Sequence, residues 1–337
     1  MKKHVNIPIF IPHYGCPNDC VFCNQKKITG KPCYDKDTVI KEIEASLSTI
    51  NRNTTDVELA FFGGSFTAIP ENEMLGLLSI SDIFRERGDI RSVRLSTRPD
   101  AITPHILEIL GMHGVKTIEL GLQSFSDKVL LASNRGHSSS QSINACRMIK
   151  GFGFTLIGQM MVGLPCSDIE DELYTAKMIC DLGCDGARIY PTVVFPETEL
   201  MRMKESGKYS PLSTDEAIVR TAQVLKVFID SNVPVIRIGL CSNETLTSPD
   251  FDGNYHPSIG ELAINRYYLA EMTTLLSSKK NLKGKTAIFS VSKGKISQAL
   301  GQRRSNAECL KAEFGLADVK VKEDDMPKAF MLSVDIR

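Results

Sequence analysis

The stretch "GCPNDCVFCNQ", residues 15–25, sets Cys16, Cys20 and Cys23 in a C-x3-C-x2-C spacing. Closed structural metal sites and disulfide scaffolds usually use an even number of thiols. Three thiolates leave one position open on a tetrahedral zinc, or on one iron of a four-iron cluster, and an open position means chemistry. Zinc held by these cysteines with His13 is an alternative. A cysteine nucleophile needs only one thiol, and core cysteines at turn spacing fit poorly beside Pro17, Asn18, Asp19 and Asn24.

Outward from this stretch, short apolar β-rich runs alternate with amphipathic helical stretches. The strands are read as "VNIPIFIP" (5–12), "VELAFFG" (57–63), "VRLSTR" (93–98), "VKTIELGLQ" (115–123), "FTLIGQMMVG" (154–163) and "GARIYP" (186–191). Helical patterns near 36–50, 71–86, 104–112, 139–150 and 168–182 separate them. Six β/α units in series predict an α/β fold with a right-handed parallel sheet curved into an open or closed barrel. Chemistry in such folds gathers at the C-terminal ends of the strands. Those ends here read as the cysteine loop, "GGSF", "STRPD", "GLQS", "MVGLP" and "YPT".

After residue 192 the pattern changes to helices near 198–206 and 213–231, a strand "VPVIRIGL" (233–240), a loop at 241–257 and a long helix from about 258. A small α/β piece follows from 284. Residues 1–240 therefore read as a barrel and 241–337 as an α/β extension. The 337-residue chain is 42% hydrophobic, enough for a sizeable core. Its 40 basic and 40 acidic residues cancel, so any electrostatic message is local. No run approaches a membrane span, the start turns polar too early for a signal peptide, and ten cysteines are too sparse for a disulfide framework. A cytoplasmic protein is expected.

With aromatic Phe22 before Cys23, the C-x3-C-x-Φ-C spacing resembles the signature of the radical S-adenosylmethionine (SAM) superfamily. "FFGGSF" (61–66) resembles that superfamily's glycine motif, and "GLQS" and "GLP" follow in the same order. The chain looks most like the radical SAM domain of the Elongator catalytic subunit. "STRPD" (96–100), "ELGLQSFSDKVL" (119–130), "NRGH" (134–137), "MVGLP" (161–165), "RIYPT" (188–192) and "SGKYSPL" (206–212) read like that group. Two departures are the shorter spacing between the first two cysteines and a tail too small for an acetyltransferase domain. The chain is also reminiscent of oxygen-independent coproporphyrinogen oxidase.

The resemblance implies a partial (β/α)6 barrel, a [4Fe–4S] cluster on Cys16, Cys20 and Cys23, and SAM on the fourth iron. It implies that Gly63, Gly64 and Ser65 admit the methionyl amino group, since a Cβ on either glycine would block close approach. It places Phe22 near the adenine, Gln123 at the ribose hydroxyls and Arg135 at the methionyl carboxylate, where a bidentate fork suits the role. It further implies a one-electron donor of flavodoxin or ferredoxin type, and a large substrate such as tRNA; a small, porphyrinogen-like substrate and a zinc-stabilised adaptor remain alternatives.

His256, in "NYHPSIGELA", is a candidate proton donor, although a histidine before proline also suits a turn. Tyr190 is a second candidate; strand alternation is read as letting only one of Arg188 and Tyr190 face the site. Cys180 and Cys184 are expected to share a helix face as core thiols. Cys33, Cys146, Cys166, Cys241 and Cys309 are scattered, with a second cluster from Cys166 and Cys241 unsupported. Residues 272–307 contain no acid before Glu308 and eight basic residues: Lys279, Lys280, Lys283, Lys285, Lys293, Lys295, Arg303 and Arg304. Such a run suits a phosphate-tracking surface, or a solvated face balanced by acids such as Glu323, Asp324 and Asp325.

Overall fold

A computed structural model describes residues 3–11, 15–16, 19–24, 35–240 and 255–337. His13, Cys33 and Cys241 lie outside the described residues. Seven strands lie side by side in chain order: β1 (Lys3–Ile11), β2 (Thr55–Gly63), β3 (Ser92–Thr97), β4 (Val115–Gln123), β5 (Thr155–Val162), β6 (Gly186–Pro191) and β7 (Val235–Ile238). Every pairing among them is parallel, so each link must cross over through helices. These are α1 (Lys36–Ser48), α2 (Glu71–Glu86), α3 (Pro104–Met112), α4 (Asp127–Ala132), α5 (Ser139–Gly151), α6 (Ile169–Asp181), α7 (Glu199–Glu205) and α8 (Thr214–Asp230). Among the described residues β1 and β7 are the sheet's two edges, which makes the barrel partial.

The sheet continues one strand beyond the six read as β/α units. α7 and α8 together form another crossover, and β7 pairs with β6 at Arg188↔Arg237 and Ile189↔Ile238. Local chemistry sets where helices begin. Ser138 with Gln141, Asp168 with Asp171 and Ser213 with Glu216 each form reciprocal caps, while Thr103 caps α3 with Pro104 in its first turn.

Alternation divides the sheet's two faces. Leu59, Phe61, Val93, Leu95, Ile118, Leu120 and Ile189 are buried under helical side chains such as Leu77, Leu107, Ile149, Ile179 and Phe228. The same core runs on into the C-terminal part. There α9 (Ile259–Ser277) packs against α8, with Lys226 and Glu271 paired at 2.9 Å. Beyond it lie β8 (Thr286–Val291), α10 (Ile296–Leu300), α11 (Ser305–Phe314), β9 (Asp318–Glu323) and β10 (Leu332–Ile336). β8 is the middle strand of a second sheet, antiparallel to β10 and parallel to β9.

Two expectations need correction. Arg188 and Tyr190 are two residues apart on β6, and a period of two returns both to one face; the two side chains interact. Cys180 lies in α6, but Cys184 falls after its Leu182 cap and Gly183, whose φ is 72°, so the pair shares no helix face. Cys184 meets Cys146 of α5 instead, inside the core. The core-thiol reading survives, and burial pushes the Cys180 thiol up.

On the sheet's other face a ladder of charges crosses the strands. Arg94 Nε donates to Glu58 Oε2 at 2.7 Å, and its Nη1 donates to Glu119 Oε1 at 2.8 Å. Arg188 Nη2 donates to the same Glu119 oxygen at 2.9 Å, and Gln159 Nε2 donates to Glu119 Oε2 at 3.0 Å. Glu119 is only 1% exposed and pairs with two arginines, so removing it strands Arg188 and leaves Arg94 with Glu58 alone. Glu119→Ala is expected to lower stability by about 3–5 kcal/mol in urea unfolding, with a smaller loss for Glu119→Gln, which still accepts hydrogen bonds.

Candidate cofactor site

The cysteine loop docks on the end of β2 through glycine. Gly15 has φ 76°, and a Cβ there would stand 2.4 Å from Ser65 O. Gly63 has φ 109°, and its Cβ would crowd the Ile11 backbone at 3.1 Å. Without those carbons Gly64 N–H reaches Ile11 O at 2.9 Å, and Cys16 Sγ lies 3.4 Å from buried Ser65 Oγ. Downstream, Val21 N–H donates to Ser133 O at 3.1 Å and Asn134 Nδ2 donates to Asp19 O at 2.9 Å. Leu200 N–H, at the start of α7, donates to Val21 O at 2.8 Å. Val21 is buried with Val194, Leu200 and Tyr209, and Phe22 packs against them. Segments far apart in the chain thus hold the loop together.

At the end of β4, Gln123 adopts φ 65° where the pairing with β5 shifts register between Gly121 and Gln123. Arg135, 7% exposed, donates from Nη2 to Gly121 O at 2.6 Å and from Nη1 to Cys20 Sγ at 3.3 Å. A Cβ on Gly121 would sit 2.7 Å from Arg135 Nη2, so the glycine clears the guanidinium's path. Arg98, at the end of β3, is 2% exposed. Its Nε and Nη2 bind the two Asp100 oxygens at 2.9 and 3.1 Å, and Nη2 also donates to Arg135 O at 2.6 Å. His137 is buried beside them, its pKa pushed down to about 3 by burial and then by the Arg135 charge, so it stays neutral.

One cavity gathers Cys16, Cys20, Phe22, Cys23, Gly63, Gly64, Ser65, Gln123 and Arg135, the predicted cluster and cofactor residues. Asp19, Ser96, Thr97, Arg98, Gly121 and Gln159 line it as well. Arg98 was legible as part of "STRPD", but only the fold shows that its charge turns inward. Two candidates lie elsewhere. His256 Nδ1 accepts from Ser258 N–H at 3.1 Å, a turn contact ahead of α9. Tyr190 belongs to the charged face beside Arg188, where burial pushes its phenol up, so it keeps its proton. A larger groove of about 860 Å³ lies between β7, α9 and residues 328–332, but it is mostly apolar and holds none of the cysteine motif.

The donor set suits an iron–sulfur cluster with a polar cofactor. Buried Arg135 Nε, Arg98 Nη1 and Gln123 Oε1 have no hydrogen-bond partner among the described residues, and unpaired buried polar atoms are costly unless a ligand meets them. Three thiolates on three separate irons need not converge on one point, whereas a closed zinc site requires it. Among the described residues no three His, Cys, Asp or Glu side chains form a single-ion site.

The radical SAM superfamily profile matches residues 10–179, just over half of the 337-residue chain, and the Radical_SAM C-terminal domain profile matches 184–269. An uncharacterised protein of Methanocaldococcus jannaschii is 28% identical over 228 residues, covering 64% of this chain and 70% of that one. The tRNA uridine(34) acetyltransferase of Methanocaldococcus infernus is 30% identical over 193 residues, covering 51% of this chain and only 36% of the relative. Among solved structures, the N-terminally deleted Elp3 of M. infernus shares the fold with a TM-score of 0.61 at 20% identity, over 81% of this chain and 64% of that one. Because the superfamily profile runs from the first strand through the sixth helix and spans the strand ends where the thiols meet the buried guanidiniums, this chain belongs to the radical SAM superfamily, whose enzymes work with a [4Fe–4S] cluster and SAM.

Proposed function

We propose that Cys16, Cys20 and Cys23 each hold one iron of the cluster and that SAM lies along the strand ends beside them. Gly63, Gly64 and Ser65 receive the methionyl amino group, Arg135 meets the carboxylate with its unpartnered Nε, Gln123 binds the ribose, and Phe22 flanks the adenine. The convergence of these nine residues, from Cys16 to Arg135, on one cavity supports this assignment. When bound, the two cofactors supply a 5′-deoxyadenosyl radical through one-electron cleavage of the sulfonium. The chain's own residues aim and shelter that chemistry: the charged face from Glu58 to Arg188 and Tyr190 lines the way in for a substrate. The required electron comes from a flavodoxin- or ferredoxin-like donor.

For the substrate we propose tRNA or another large molecule, with residues 1–240 carrying the cofactors and 241–337 acting as the binding arm. The similarity to a tRNA uridine(34) acetyltransferase supports this, although only about a third of that protein is matched. In the basic stretch Lys279, Lys280, Lys283, Lys285, Arg303 and Arg304 are exposed, whereas Lys293 pairs with Asp325 at 2.7 Å and Lys295 lies over the Phe330 ring. We place the protein in the cytoplasm, where thiols stay reduced; no described helix is long and apolar enough to cross a membrane.

Anaerobic reconstitution with iron and sulfide, then reduction with SAM, is expected to release 5′-deoxyadenosine. A Cys16→Ala, Cys20→Ala, Cys23→Ala variant should form no cluster and release none; release by that variant, or a zinc-loaded wild type that leaves SAM intact, would sink the assignment. Binding to labelled tRNA should weaken steeply with salt. Charge reversal at Lys279, Lys280, Lys283 and Lys285 should lower the log–log salt slope by about one for every phosphate that the variant no longer neutralises. Retained SAM cleavage without any affinity for RNA would point to a small-molecule substrate instead.

A further inference from the structure

We propose that Arg98 sets the reduction potential of the cluster, by fixing a buried positive charge and an unpartnered N–H donor beside its cysteine ligands. This rests on the assignment of the cluster to Cys16, Cys20 and Cys23. Arg98 follows the last residue of β3, at the strand end where the cavity opens. Burying a guanidinium at 2% exposure is tolerable only with a partner, and Asp100 supplies one through two parallel bonds. Pro99 stands in the first turn of the short helix Pro99–Ala101, whose turn brings the Asp100 carboxylate back onto the guanidinium.

The pairing is unequal in its surroundings. The Asp100 side chain is 19% exposed, against 2% for Arg98, so water screens the carboxylate more than the guanidinium. Inside the cavity the positive end of this pair is therefore the less screened one. Nη1 is the one nitrogen of Arg98 that neither Asp100 nor Arg135 O uses, and it is buried without a partner. Cys20 and Cys16 lie within electrostatic reach of the group.

A cluster gains one negative charge when a low-potential donor reduces it by one electron. A fixed cation nearby stabilises the reduced form more than the oxidised one, and so do N–H donors aimed at sulfur; both raise the potential. Arginine does not lose its proton in a protein, so the cation itself is fixed. Arg135 also donates to Cys20 Sγ, at 3.3 Å, but it is assigned to the cofactor carboxylate. Arg98 is held by Asp100 through two hydrogen bonds. It is a tuning residue, acting on the cluster through its charge and its free N–H rather than as a ligand.

The test is an EPR-monitored redox titration of the reconstituted full chain without SAM, for wild type, Arg98→Gln, Arg98→Lys and Asp100→Asn, each checked for iron and sulfide content and thermal unfolding. Arg98→Gln is expected to load fully and to become at least tenfold harder to reduce, a midpoint lower by about 59 mV or more for one electron. Arg98→Lys, which keeps the charge, should recover most of that shift. Asp100→Asn, which keeps Arg98 and removes its counter-charge, should move the midpoint upward, and it carries the test if Arg98→Gln does not load. Unchanged midpoints in loaded variants would overturn the proposal, as would a variant that loses SAM affinity at an unaltered midpoint, since Nη1 would then serve the cofactor. A wild type that takes up no iron–sulfur cluster would instead fail the cysteine assignment itself, and the proposal with it.

Discussion

The close approach of the cysteine loop to the end of β2 is the contact on which the site depends. Parallel pairing of β1 and β2 brings Ile11 opposite Gly63, and the absence of side chains at Gly15 and Gly63 lets the two loops meet at backbone distance. Only then does Cys16 reach Ser65. The register is a sheet property, but the approach is a glycine property: a Cβ at Gly15 would run into Ser65 O, and one at Gly63, at φ 109°, would be strained and would crowd the Ile11 backbone.

The second constraint is buried charge. Arg98 and Arg135 on the cavity side, and Arg94 and Arg188 across the open face, are all positioned by strand ends or strand alternation. Each is answered by a carboxylate, a carbonyl or a thiol. A basin lined by fixed dipoles and buried cations suits an anionic cluster and a carboxylate, because buried charges interact more strongly than charges in water. Among the described residues Arg135 Nε, Arg98 Nη1 and Gln123 Oε1 stand buried without protein partners around this cavity, which leaves their hydrogen-bonding capacity for a bound group.

The C-terminal part extends the same framework. α9 closes over α8 and carries the second sheet on its other side, with Tyr267 and Phe330 rings 5.8 Å apart. One continuous core then links the barrel to the elements that carry the basic stretch, so that stretch holds a fixed place relative to the strand ends.

Much of this was legible in the residues themselves. Alternating apolar runs and capping pairs such as Ser138 with Gln141 are local, so six strands and their helices could be read directly, and the C-x3-C-x2-C spacing implied an open metal position. What the sequence could not decide is non-local. β7 joins the barrel only because α7 and α8 together make a crossover. Cys184 meets Cys146 rather than Cys180 because α6 ends at Asp181. His256 turns to cap its own loop, and Arg98 becomes a buried charge beside two thiols through a turn of three residues. Spacing along a chain determines which groups are available and on which face of an element they stand. Only the packing of strand ends against one another, where a single missing Cβ decides whether two backbones can touch, determines which of them share a cavity.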